Sequence, residues 1–226
     1  MEFLQKIRQV YFPQRSDILF FLCGVIMSVS EIWKQLTLTF VLGGGSYNWW
    51  YFPFQLCSIP MYLLLLYPWL RGERPRRILL TFLMSYTLLG GIAVFADTSG
   101  LHYPLTALTV HSYLWHILLI LVGILSALVY FRCAHEKALR AFAGSTGLYL
   151  FCCVLAELFN LAFDRFGTIN MFYINPGYQM QQIVFSNLSV RIGNTPAILL
   201  YIASTISGAF LLFLIWQFIF RLLGRS

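Results

Sequence analysis

One cysteine and two histidines raise the chemical question in this chain. Cys57 closes the stretch Tyr51-Phe52-Pro53-Phe54-Gln55-Leu56-Cys57, and His111 and His116 follow in a later apolar run. A thiolate is nucleophilic, and an imidazole can take the thiol proton and later return it to a leaving group. An amide or carboxylate can orient that imidazole. Together these residue types point to acyl transfer through a thioester. Other polar residues accompany them in apolar surroundings: Glu31 with Lys34, Asp97, and Glu157 with Asn160. Glu31 and Lys34, like Glu157 and Asn160, are three apart and can meet on a helix face.

The elements that must position these groups are membrane helices. Of the 226 residues, 59% are hydrophobic and only 10% charged. A soluble domain carries about 25% charged residues, so the composition is that of a polytopic membrane protein. Apolar runs predict six spans, at about 18–41, 51–70, 78–96, 105–131, 142–163 and 196–220. Residues 1–16 are basic and amphipathic and read as a cytoplasmic or interfacial segment rather than a signal peptide. Residues 222–226 form a tail. The net charge of +7 does not indicate nucleic acid, because the basic residues sit between apolar runs. Twelve of the fifteen lysines and arginines fall in alternate connections, which places both termini in the cytoplasm of a cell inner or plasma membrane.

That topology sets depths. Pro53 suits the first turn of a second helix, and aromatic residues just before it mark an interface. At ~1.5 Å per residue Cys57 would lie roughly 9 Å below the outer surface, His111 roughly 9 Å and His116 roughly 16 Å. Glu31, Lys34, Glu157 and Asn160 fall in the same outer half, and Asp97 closes the third span. Residues 164–195 are too long for a structureless connection and read as a cap over the outer mouth.

Packing roles compete with each of these readings. Cysteine fills apolar cores, and Glu31 with Lys34 can be an internal ion pair. Glu157 and Asn160 can form a polar contact between helices. His111 and His116 are five apart and do not share one clean helix face. Adjacent Cys152 and Cys153 read as core. No close ligand pair supports a metal site, and the sequence calls for no cofactor. Gly43-Gly44-Gly45-Ser46 is a loop without the strand and lysine of a phosphate cradle.

The stretch Pro53-Phe54-Gln55-Leu56-Cys57, the triplet Trp115-His116-Ile117 and the run Gly167-Thr168-Ile169-Asn170-Met171-Phe172-Tyr173-Ile174-Asn175-Pro176 together resemble the bacterial six-span YwaF-like proteins and their eukaryotic relatives in the transmembrane protein 164 family. Gln55 stands where that family usually has histidine, and the spacing around Asn170 departs from its form. The resemblance implies an acyl-transfer enzyme acting on phospholipids, with Cys57 as nucleophile and His116 as its partner.

The sequence reading is therefore an all-α bundle of six membrane helices with an outer cap. Its function is that of a membrane acyltransferase or lipid hydrolase, with a membrane lipid as substrate. Cys57 and His116 carry the chemistry, and His111 or Glu157 orients the base. Asn160 and Asn170 could hold the oxyanion or the glycerol backbone. Lys34 or Arg191 could meet a phosphate headgroup, and Gln55, Glu31 and Asp97 support. Two rivals stand beside it. One is a small transporter using the charged outer layer. The other is a non-catalytic membrane sensor or assembly partner.

Overall fold

A computed structural model describes residues 15–133 and 138–223. The amphipathic start falls almost wholly outside them, as does most of the tail. Among the described residues the secondary structure is entirely helical. Helix α1 is Arg15–Leu36, prolonged by a wide π turn at Thr37–Leu42. Helix α2 is Ile59–Leu66 with a 3₁₀ turn at Tyr67–Trp69. Helix α3 starts at Glu73 and reaches Ala96 through a π turn at Leu83–Thr87. Helix α4 is Thr106–Cys133, α5 is Ala138–Phe163, α6 is Ile183–Ile192 and α7 is Asn194–Leu222.

Five of these, α1, α3, α4, α5 and α7, are long and apolar enough to cross a membrane. The chain is a multi-span helical membrane protein. The expected second span differs from the rest. Its helical part, Ile59–Trp69, is too short to cross: eleven residues rise about 16 Å against a hydrocarbon core of about 30 Å. Pro53 does not open the helix; Pro60 does. Residues 52–58 approach it as irregular backbone.

The segment nevertheless traverses the bundle. At one end Gln35, near the end of α1, donates to the Tyr51 carbonyl at 2.6 Å. At the other, Arg76 at the start of α3 pairs with Asp17 at the start of α1, 2.5 Å apart. Irregular backbone at membrane depth needs protein cover, and side chains provide it here. Tyr62 donates to the Pro53 carbonyl at 2.8 Å, and the Trp115 indole to the Cys57 carbonyl at 3.1 Å.

Close helix contacts follow the small residues. A Cβ at Gly24 would lie 2.9 Å from the Leu65 nitrogen, so α1 and α2 touch there backbone to backbone. Gly91 meets Ile120 of α4 in the same way, whereas its neighbour Gly90 faces open space. The π turn in α3 frees the Met84 carbonyl, and Trp216 of α7 donates to it at 3.1 Å. Cys152 and Cys153 are buried in the core, as their sequence setting suggests. The glycine loop after α1 needs its glycines, since Gly44 and Gly45 have φ of +57° and +94°.

The connection after α5 is ordered by side-chain amides. Asn160 Oδ1 accepts from the Met171 amide at 2.7 Å while its Nδ2 donates to the Met171 carbonyl at 3.3 Å. Gln55 Oε1 accepts from the Phe172 amide at 2.7 Å, and its Nε2 donates to the Asn170 carbonyl at 3.0 Å. Asn170 Oδ1 accepts from the Asn175 amide at 3.0 Å. Each side chain here does what a neighbouring strand would do. The α6 helix then turns at Gly193, where φ is +93°, and packs along α7.

Candidate functional site

One cavity of about 600 Å³ lies beneath this cap, within the range of small-ligand sites. Residues distant in sequence line it: Lys34 from α1, Gln55 and Cys57 from the irregular approach to α2, and His111, Ser112 and His116 from α4. The two histidines, which their spacing would put on different faces, both reach it. Because His111, Ser112, Trp115 and His116 all line it, more than one face of α4 borders the cavity.

His116 is buried, and its Nδ1 bonds to the Ser112 carbonyl at 2.8 Å. A carbonyl only accepts, so the proton sits on Nδ1 and Nε2 carries the lone pair. Nε2 has no hydrogen-bond partner among the described residues. The ring is thus held as the tautomer that can accept a proton. The backbone of α4 itself supplies the orientation expected of His111 or Glu157. No hydrogen bond joins the Cys57 thiol to His116; the two share the cavity.

His111 is placed differently. Its ring lies between Trp33 and Trp115, at centroid distances of 5.6 and 5.7 Å. Both ring nitrogens are shielded and without a protein partner. Such groups are rare in native interiors, so His111 is a polar group held ready in the cavity wall.

Glu31 and Lys34 satisfy each other at 2.9 Å, and Gln35 donates to the same carboxylate at 2.6 Å. That is the internal-pair reading. Lys34 still borders the cavity, whereas Glu31 borders a second, more open groove of about 470 Å³ between α1 and α2. Asp97 stands at the cavity rim, where the Ser99 amide donates to it at 3.0 Å and holds its carboxyl below the usual range.

Five expected participants are tied to other partners or lie elsewhere. Glu157 accepts from Asn160 at 3.0 Å and does not line the cavity. Asn160 uses both ends of its amide on Met171, and Asn170 Oδ1 is committed to Asn175. Glu157, Asn160 and Asn170 do not line the cavity, and the Asn170 Nδ2 is buried without a protein partner. Arg191 is exposed on the last turn of α6, away from the cavity lining. Gln55 borders the cavity, but its amide is tied to the cap.

The sequence reading missed the tyrosines. Tyr51, Tyr103, Tyr173 and Tyr201 all line the cavity. Tyr173 and its neighbour Phe172 adopt φ of +57°, a conformation that costs a bulky residue about 1–3 kcal/mol. No sequence signal marks this pair, because the amides that enforce the turn are remote in the chain.

The walls also differ in character. The lining combines exposed apolar residues, Ala93 of α3 and Ile183 and Val184 of α6, with polar ones, Asp97, Ser99 and Gln182. Among the described residues no cluster of three histidine, cysteine or carboxylate side chains is arranged to hold a metal ion. No protein-family model, curated protein or solved structure matches the chain.

Proposed function

We propose that this protein is a membrane acyltransferase or lipid hydrolase that uses Cys57 and His116 on an ester-linked lipid. One observation carries the reading: a thiol and a tautomerically fixed imidazole, on segments far apart in sequence, border a single ligand-sized cavity. His116 Nε2 takes the Cys57 proton, and the sulfur adds to the ester carbonyl. The tetrahedral species collapses to a thioester as the leaving alkoxide takes the proton from His116. Water or a second lipid alcohol then attacks the thioester, gives its proton to His116, and releases the thiolate.

The mixed walls favour an amphiphile. An acyl chain entering past Ala93, Ile183 and Val184 would leave a polar head among Asp97, Ser99 and Gln182. Lys34 supplies a cation inside for an anionic group. On the charge distribution, both termini lie in the cytoplasm and the cavity opens toward the outer leaflet. The resemblance to the YwaF-like and transmembrane protein 164 proteins agrees with this chemistry.

The test is labelling with an alkyne-tagged acyl probe in membranes. Hydroxylamine-sensitive labelling that is lost in Cys57→Ala and kept in Cys152→Ala supports the enzyme. Solute uptake that is independent of Cys57 would favour a transporter, for which the layer of Lys34, His111 and His116 is the supporting feature.

A further inference from the structure

The cap holds Phe172 and Tyr173 in left-handed backbone, and several amides serve that one turn. Gln55 grips Phe172 from the cavity side, and Asn160 grips Met171 from α5. Asn170, just ahead of them, is tied to Asn175. Strain of this kind persists only where the surroundings over-determine it, and it clusters at functional sites. Its result is that Tyr173 borders the same cavity as Cys57.

The Tyr173 hydroxyl has no hydrogen-bond partner among the described residues. Its ring is held edge-on to Trp50, at 6.2 Å between centroids. Burial, with Cys57 adding to it, pushes the phenol up to about 12. It therefore keeps its proton throughout the ordinary pH range and can act only as a neutral donor.

Building on the Cys57–His116 reading, we infer that Tyr173 is a catalytic residue whose phenol donates a hydrogen bond to the acyl oxygen as Cys57 adds to the ester carbonyl. In that step the S–C bond forms and the carbonyl π pair moves onto oxygen, which becomes the oxyanion. Collapse returns the pair and expels the alkoxide, which His116 protonates. The phenol keeps its proton throughout. A donor aimed at developing charge is the usual means of stabilising such an intermediate. Of the side-chain amides first considered for that task, Asn160 holds the turn through Met171, and neither Asn160 nor Asn170 borders the cavity.

Two reactions of one thiol separate this role from a structural one. Alkylation of Cys57 by iodoacetamide needs the thiolate but forms no oxyanion; acylation by a p-nitrophenyl ester forms one. In the purified full chain, Tyr173→Phe should slow Cys57 acylation about 10²- to 10³-fold, leave alkylation within a factor of about two, and leave the pH dependence of alkylation unchanged. Tyr113→Phe, on α4 but outside the cavity lining, should keep the acylation rate. Equal loss of both reactions in Tyr173→Phe would make the residue structural and overturn the inference. An unchanged acylation rate would overturn it too, with the Cys57–His116 reading still standing. Absence of Cys57 acylation in the unmodified protein would remove that reading and this inference together.

Discussion

The indole N–H of Trp115 donates to the carbonyl oxygen of Cys57 at 3.1 Å, so the residue next to the proposed base holds the backbone of the proposed nucleophile. Trp115 is buried, and the carbonyl it serves belongs to non-helical backbone without an intrahelical partner. The bond ties the backbone of Cys57 to the helix that carries His116.

Trp115→Phe keeps an aromatic ring but removes the donor. The orphaned carbonyl should cost about 1–3 kcal/mol. The variant should unfold at lower temperature in detergent, and its Cys57 alkylation should slow, because the backbone of Cys57 loses its tie to the helix that carries His116. Unchanged alkylation with an unchanged melting temperature would mean that the bond has no role in solution.

Gln55 clasps the cap from below with bonds of 2.7 and 3.0 Å. Gln55→Leu should free the Phe172 amide and the Asn170 carbonyl together, at about 1–3 kcal/mol for each group left without a partner. Hydrogen exchange provides the measurement. Faster exchange at Phe172, with protection in the middle of α4 unchanged, is the expected pattern. Equal loss in both places would mean that the cap and the bundle unfold as one unit.

The apolar part of the cavity lining predicts a split between substrates. Ala93→Phe fills the apolar opening without touching Cys57 or His116. Acylation of Cys57 by a long-chain lipid ester in vesicles should fall at least about tenfold, equivalent to about 1.4 kcal/mol, while a short water-soluble ester should react as before. Equal reaction with both esters would mean that the chain enters elsewhere, for example through the groove beside Tyr62.

The orientation can be read with a membrane-impermeant maleimide in intact cells, in a background where native cysteines are replaced. Ser99→Cys, at the polar rim, should label from outside. Arg74→Cys, in the basic first turn of α3, should label only after the membrane is opened. The reverse pattern would invert the protein and move the cavity to the inner leaflet.

Much of this architecture is legible in the sequence, for a physical reason. A long apolar run has few ways to satisfy its backbone in lipid, and a helix is the simplest. So α1, α3, α4, α5 and α7 follow their runs to within a few residues. The run at 51–70 misleads because its first part is satisfied by partners that no local pattern announces. The Tyr51 carbonyl uses Gln35, the Pro53 carbonyl uses Tyr62, and the Cys57 carbonyl uses Trp115. The Glu31–Lys34 pair is local, three residues apart, and could be read directly. Cys57, His111 and His116 could be placed in one layer by depth, and all three line the cavity. Gln55, Asn160 and Asn170 were legible as polar residues but not as clasps, since their partners lie on a loop whose course they themselves dictate. Tyr173 was hidden for the same reason.

The central claim is that Cys57 carries an acyl group taken from a lipid ester with His116 as base. The most direct measurement is intact-peptide mass spectrometry of the purified protein in vesicles of an ester-linked phospholipid. The account predicts a hydroxylamine-sensitive acyl mass on the peptide containing Cys57. That mass should be absent in Cys57→Ala and should form about 10²- to 10⁴-fold more slowly in His116→Ala. An acyl mass that persists in Cys57→Ala, or forms equally fast without His116, would contradict it.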